Sequence, residues 1–173
     1  MSIFSLLRKF RQINTLYCRL KPNWILLTCV NNDRHIDGAT EIIVDNSSNR
    51  VLAVGASGET EASVKSKGID CRVENAFSDL EQQIQNTDIA EATLKYYMKK
   101  ISESSVIVRP LIIFHVLERK NPYNPDELKA WVSIGESAGA RSVYLWKGDQ
   151  LSNSQILAGE FYGGEWIGNK LKY

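Results

Sequence analysis

The sequence predicts an α/β domain with a mixed sheet, in which an antiparallel meander is followed by a βαβ crossover. Three observations predict this class. Short apolar segments separated by turn residues fill the first third of the chain, as is typical of strands joined by hairpins. A continuous apolar run over 111–117 is typical of a strand covered on both faces. A capped helix over 124–138 and a strand over 142–146 follow it at the spacing of a crossover.

The first predicted element is an amphipathic helix over residues 1–13, which precedes a single domain of residues 14–173. Apolar residues recur along it at helical spacing, and basic residues flank that stripe. Such a helix can dock on its own domain, or it can lie on an anionic membrane surface with its apolar face among the lipids. For the second alternative the candidate membrane-contact residues are Ile3, Phe4, Leu6, Leu7, Phe10, Arg8, Lys9 and Arg11.

Two predicted strand pairs follow the helix. Thr15–Arg19 and Trp24–Val30 flank a Lys-Pro-Asn turn, and Glu41–Asp45 and Arg50–Val54 flank an Asn-Ser-Ser-Asn turn. The residues between the two pairs are predicted to form a polar loop. The stretch over 55–78 is predicted to be rich in loops because glycines punctuate it.

The second half of the chain carries the helix signals. Ser78 and Glu81 have the spacing of a capping box that opens a short helix. Asp88–Ser102 has one apolar stripe and predicts a longer helix. The next helix begins at Asn124 with a proline and two acids in its first turn, and Gly139 is placed to end it. The residues after Trp146 are rich in glycine and predict no defined element.

Composition and charge exclude several classes of protein. The chain is 43% hydrophobic and 24% charged, which is typical of a folded globular domain. A net charge of +1 gives no support to a general nucleic-acid binder, so no nucleic-acid partner is predicted. The longest apolar run, over 24–30, is too short to span a membrane. Cys18, Cys29 and Cys71 form no Cys-x-x-Cys pair, and they are predicted to be free thiols in a reducing cytoplasm.

No familiar catalytic motif is present in the sequence, and no metal or cofactor is predicted. Asp33, His35 and Asp37 alternate along the chain, but two carboxylates and one imidazole are a poor zinc set, so a solvated loop is the preferred interpretation. His115 lies in the apolar strand and is predicted to be a core histidine bonded to a backbone oxygen, not a catalytic base. Glu118-Arg119-Lys120 is predicted to be a solvated strand end.

Five segments together resemble the MreB family of bacterial actin-like, rod-shape-determining proteins. They are Asn14–Tyr17, Arg50–Gly55, Ile89–Ile101, Arg109–Ile112 and Glu136–Leu145. The resemblance covers residues 1–146 and implies an actin-like domain on a ribonuclease-H-like core. It also favours the membrane interpretation of the first helix, since some family members carry a basic amphipathic leader that binds the membrane.

Departures from the family pattern concern its two phosphate loops. The family's Asp-x-Gly-Thr falls on Lys9, Phe10, Arg11 and Gln12, where a lysine replaces the acid and an arginine replaces the glycine. The second loop would follow Trp146, but Gly163-Gly164 has neither its Asp nor its Thr. The resemblance further implies that this chain is about one half of the family fold. Few of the groups that enclose ATP are therefore expected.

The resemblance and its departures together imply a non-catalytic protein-interaction module linked to cell shape or the cytoskeleton. We expect it in the bacterial cytoplasm or at the inner face of the membrane, bound to another protein, such as a cytoskeletal one, or to itself. Sheet edges or the region of Trp131 and Trp146 are the expected contact surface. The alternative is an enzyme: a ribonuclease-H-like, metal-dependent nuclease that uses Asp37 and Asp45, or an ATPase completed by self-association.

Overall fold

The computed structural model describes residues 14–55, 58–82, 84, 86–103 and 109–167. The strands, in chain order, are β1 (Thr15–Lys21), β2 (Trp24–Cys29), β3 (Arg34–Ala39), β4 (Ile42–Asp45), β5 (Val51–Val54), β6 (Cys71–Glu74), β7 (Leu111–Val116), β8 (Ser142–Gly148) and β9 (Gly164–Ile167). The helices are α1 (Gly58–Ser66), α2 (Thr87–Ser102), α3 (Pro125–Ser137) and α4 (Asn153–Ala158).

The larger sheet has six strands in the order β3-β2-β1-β7-β8-β9, and its pairing is mixed. β1, β2 and β3 form an antiparallel meander, whereas β7 runs parallel to both β1 and β8. β9 closes the far edge antiparallel to β8. β4 lies between β5 and β6 in a separate three-stranded antiparallel sheet. The predicted class, α/β with a meander and a βαβ crossover, is confirmed.

Alternation along the strands gives the larger sheet two different faces. Leu16, Cys18 and Leu20 of β1 point into the main core, which also contains buried residues of α2 and α3. We call this side the helix face. Tyr17 and Arg19 of the same strand lie on the opposite face. Because β7 contributes buried residues to both faces, its six residues are all buried, as its apolar run predicts.

Local signals fix the two long helices. Asn86 caps α2 by accepting a hydrogen bond from the amide of Ile89. Asn124 and Glu127 form a reciprocal capping box at the start of α3.

α2 packs closely against β3 because Gly38 has no side chain: a Cβ there would lie 2.4 Å from the Tyr97 hydroxyl. That hydroxyl donates a 2.7 Å hydrogen bond to the carbonyl of Ala39.

Several predicted loops are regular structure instead. Residues 34–39, predicted as part of a polar loop, form β3, an edge strand whose outward side chains are polar. The loop-rich stretch over 55–78 contains α1 and β6. No helix begins at Ser78 in the described residues 78–82, where the Glu81 carboxylate accepts the amides of Lys120 and Asn121 rather than capping a helix. The glycine-rich end contains α4 and β9.

The predicted solvated end of β7 is wrong at its central residue. Arg119 is 8% exposed, and its guanidinium pairs with the buried carboxylate of Glu127 at 2.8 Å. It also donates to the carbonyls of Leu80, Asn121 and Pro122. This cluster ties the residues after β7 to the chain near residue 80.

The structure also tests what the sequence predicted for the cysteines and for two tryptophans. The three cysteines are free, as predicted, and all three are buried. Trp131 and Trp146 are each 1% exposed, so their own side chains do not form a contact surface, and the expectation for the region around them stays a prediction. Within the described ranges, no helix is both long enough and apolar enough to cross a membrane.

Candidate functional site

Among the described residues, the groups that pack on the opposite face of the larger sheet cover only part of it. α4 and the residues before it pack on Tyr17, Ile113 and Trp146. Next to this covered area, above β1, β2 and β3, lies a cavity of about 300 Å³. We call it the Arg19 cavity; its lining residues are Arg19, Leu26, Thr28, Asp33, His35, Gln150, Leu151, Ser152 and Asn153.

Strand register brings the sheet residues of this cavity together. Arg19 lies opposite Leu26 in the β1–β2 pair, and Thr28 lies opposite His35 in the β2–β3 pair. Residues just before and at the start of α4 form the other wall. The Asn153 amide donates a 2.6 Å hydrogen bond to the Asp33 carboxylate, and this bond joins that wall to the β2–β3 turn.

Among the described residues that line the cavity, Arg19 is the only arginine or lysine. Its guanidinium lies over the Tyr17 ring, 5.3 Å from the ring centre, and its Nη2 donates to the Thr28 hydroxyl at 3.3 Å. Its Nε is buried and has no hydrogen-bond partner among the described residues. No carboxylate of the described part of the chain lies within ion-pair distance of this guanidinium.

Behind the cavity, a buried hydrogen-bond chain connects β1, β7 and the residues before α4. The Tyr17 hydroxyl lies 2.6 Å from His115 Nδ1, and it accepts the amide of Leu151 at 3.2 Å. His115 Nε2 lies 3.1 Å from the carbonyl of Gly148, so Nε2 donates and Nδ1 accepts. The prediction of a core histidine bonded to a backbone oxygen is confirmed.

Burial favours the neutral forms of His115 and Tyr17, the two side chains of this hydrogen-bond network. Burial, together with the nearby charge of Arg19, lowers the pKa of His115 from its ordinary 6.5 to about 4, against an opposing contribution from the Gly148 carbonyl. Burial raises the pKa of Tyr17 above its ordinary value. His115 is therefore uncharged at neutral pH.

The β1–β2 hairpin does not have the chemistry of a phosphate-binding loop. Such loops present free backbone amides, commonly with glycine to allow close approach. Pro22 has no amide hydrogen, and the Asn23 amide donates to the carbonyl of Phe77 at 3.0 Å. Lys21 lies 3.5 Å from the Glu118 carboxylate. These groups bond within the chain and do not form a cradle for phosphate.

The candidate metal ligands are dispersed. His35 and Asp37 lie on β3, and Asp37 accepts a 3.4 Å hydrogen bond from the Trp24 indole. Asp45 lies in the other sheet, where hydrogen bonds from Ser47 and Ser48 lower its pKa to about 2. Among the described residues, no three His, Cys, Asp or Glu side chains are grouped so as to hold a metal ion.

A second concavity lies on the helix face, between α3 and the β8–β9 edge. It has a volume of about 420 Å³, and we call it the α3 groove. The residues that line it share one side of α3 or the end of the sheet, and they are Pro125, Leu128, Lys129, Val132, Ser133, Glu136, Val143, Tyr144, Leu145, Trp166 and Ile167. Half-buried Leu128 and Val132 lie one turn apart and form its apolar wall.

The fold itself matches known structures. Two structures of MreB5 of Spiroplasma citri, one bound to ADP and one bound to AMPPNP, superpose with TM-scores of 0.59 and 0.57. The fold is actin-like. Each match is 13% identical in sequence and covers 78% of this chain but 38% of the MreB5 chain. This chain therefore matches well under two thirds of the length of those proteins.

Comparisons of sequence add no relative to this structural likeness. No family model matches the sequence, and no curated protein matches it. The actin-like fold thus rests on the arrangement of helices and strands.

Several predicted site residues fall outside the described part of the chain. They include all the candidate membrane-contact residues, Ile3, Phe4, Leu6, Leu7, Phe10, Arg8, Lys9 and Arg11, together with Gln12 of the expected phosphate loop. Gly164, of the expected second loop, pairs with Gly148 in the β8–β9 ladder. Sequence reasoning missed Arg19, although a single charge between apolar residues of a buried strand was the available signal.

Proposed function

We propose that this chain is a non-catalytic, actin-like protein-interaction module that also contacts a membrane through residues 1–13. The α3 groove is the observation that carries the proposal. Concave apolar surfaces beside a sheet edge accept apolar side chains of a partner protein. The proposed partner is another protein, such as a cytoskeletal one, or a second copy of this chain.

The composition of the groove supports a protein partner. Its wall combines Leu128 and Val132 of α3 with Val143 and Leu145 of β8, and Ile167 lies at its sheet side. Charged residues are confined to α3, where Lys129 lies 2.9 Å from the carboxylate of Asp126, outside the apolar wall. An apolar centre with a polar rim is the usual composition of a protein interface.

The absence of nucleotide chemistry is also part of the proposal. Support comes from the β1–β2 hairpin, whose proline and engaged amide suit packing better than phosphate binding. In the Arg19 cavity, the charge of Arg19 would also repel a magnesium ion. Asp33, the carboxylate that lines the same cavity, already accepts the Asn153 amide.

Site-specific photo-crosslinking tests the groove. A photoreactive residue at Val132 should give covalent adducts with a discrete partner in the native host, or with a second copy of the chain. The matched control carries the same residue at Lys95, which is exposed on α2 away from the groove. Val132→Asp should abolish the adducts formed from a probe at Leu128. Equal adduct patterns from Val132 and Lys95 would contradict the proposal.

Membrane contact is tested separately. The intact chain should co-sediment with anionic liposomes more than a chain that lacks residues 1–13, and added salt should weaken the difference because basic residues supply part of the attraction. Neutral liposomes provide the control for charge. Equal pelleting of the two chains would remove membrane contact from the proposed function and leave the groove unaffected.

A further inference from the structure

We propose that the Arg19 cavity binds a singly charged carboxylate, with the guanidinium of Arg19 as its counter-ion. This site is distinct from the α3 groove, which lies on the helix face of the sheet. The inference therefore goes beyond the proposed function. It starts from the unusual surroundings of one arginine.

A comparison with Arg119, whose guanidinium has a structural role, shows how Arg19 differs. Arg119 donates through Nε, Nη1 and Nη2, and its partners include the Glu127 carboxylate at 2.8 Å. Arg19 makes one long hydrogen bond, to Thr28 at 3.3 Å, and its buried Nε has no partner among the described residues. An unsatisfied buried donor is costly, so a purely structural arginine is normally bonded. Arg19 also lines the cavity, so part of this residue borders open space.

Polar side chains surround that charge. The Thr28 hydroxyl accepts from Arg19, so its own hydrogen is free to donate to a ligand. Gln150 and His35 line the same cavity and are exposed. A carboxylate in front of the guanidinium would therefore meet a cation and the hydroxyl and amide donors of Thr28 and Gln150, the pairing that proteins use to bind this group.

The charges that line the cavity disfavour a dianion. Asp33 also lines the cavity, so a phosphate dianion would face one positive and one negative side chain. A carboxylate carries one negative charge instead of two, so Asp33 repels it less while Arg19 still attracts it. A cavity of about 300 Å³ is at the small end of ligand sites, which suits a small organic acid or one acidic side chain of a protein.

The experiment is a titration of the full chain followed by nuclear magnetic resonance. The Nε–Hε signal of Arg19 and the amide of Thr28 are monitored as sodium acetate is added. Sodium chloride at matched ionic strength is the control, and phosphate forms a third arm. A glutamate derivative with blocked amino and carboxyl ends then distinguishes a protein side chain from a free organic acid as the source of the carboxylate. If it binds as well as acetate, an acidic side chain fits the cavity. If it is excluded, the ligand is a free acid.

Expected results differ between the variants. Acetate should give a saturable shift of both signals, and Arg19→Gln should weaken its binding by about tenfold or more, since a charge-assisted hydrogen bond is lost. Arg141→Gln removes an exposed arginine at the start of β8 and should change the affinity less than about twofold. Arg19→Lys should bind with intermediate affinity, because the charge remains and the planar fork is lost.

Three outcomes would overturn the proposal. They are a response to acetate no different from that to chloride, equal affinity of Arg19→Gln and the wild type, and binding of phosphate in preference to acetate. If the Arg19→Gln protein does not fold, the wild-type Arg19 signal still decides, because a chloride-like response excludes the site. Failure here leaves the groove crosslinks unaffected, so the two proposals fail separately.

Discussion

Acidification is a selective perturbation of the buried Tyr17–His115–Gly148 chain. His115 is 2% exposed and neutral, with Nδ1 accepting from the Tyr17 hydroxyl and Nε2 donating to the Gly148 carbonyl. Protonation would place a second N–H against the Tyr17 hydroxyl and a charge close to the guanidinium of Arg19. The folded chain therefore resists a proton that the unfolded chain accepts readily.

The lowered pKa fixes the sign and size of the effect. In the unfolded chain the imidazole takes up its proton near pH 6.5, whereas in the folded chain it does so near pH 4. Between these values the unfolded state binds more protons, so stability falls as the pH falls. The linkage relation gives a loss of about 2 kcal/mol in the free energy of unfolding between pH 7 and pH 4.5. Asp45 and Glu81 have lowered pKa values, so their contribution is lost mainly below this window.

Urea unfolding at a series of pH values measures this loss. The wild type should lose about 2 kcal/mol over the window, and His115→Gln, whatever its absolute stability, should lose far less because the titrating group is gone. His35→Gln is the matched control: His35 is exposed on β3, and its removal should leave the wild-type slope intact. A His115→Gln protein with the wild-type pH dependence would refute the assignment of the slope to this buried histidine.

Two further predictions concern packing. Glu127→Ala should lower the free energy of unfolding by about 3 kcal/mol or more, because it leaves Arg119 buried without its counter-charge. In urea unfolding, the double variant Arg119→Met with Glu127→Gln should lose less stability than this single variant. A larger loss for the double variant would contradict the prediction. Gly38→Ala should lower the free energy of unfolding by about 1–2 kcal/mol, because the added methyl group meets the Tyr97 hydroxyl. In a double-mutant cycle, Tyr97→Phe should remove part of that loss. Strictly additive effects would show that the close approach of these two residues is unimportant.

Sequence patterns predicted the elements whose signals are local. β7 is recognisable because it is buried on both faces, and its six residues are apolar apart from His115. α3 is recognisable from its capping box, which needs only Asn124 and Glu127. The order of meander, helix and crossover then leads to the larger sheet. These features are encoded within a few residues of each other.

Features that depend on distant partners could not be predicted in this way. β3 is an edge strand with one polar side, so its sequence resembles a loop until β2 pairs with it. Arg119 is buried because Leu80 and Glu127 supply its acceptors, and one of these lies 39 residues away. The isolation of Arg19 likewise depends on what β2 and the residues before α4 place around it. Only the folded chain defines those neighbours.

The central claim is that this actin-like chain works by binding other molecules without using nucleotide. Titration calorimetry with magnesium-ATP is the most direct test of it. The account predicts no heat of binding at millimolar ATP with the intact chain and no release of phosphate on incubation. Micromolar affinity that requires magnesium would contradict it, and hydrolysis on top of that affinity would restore the enzymatic alternative.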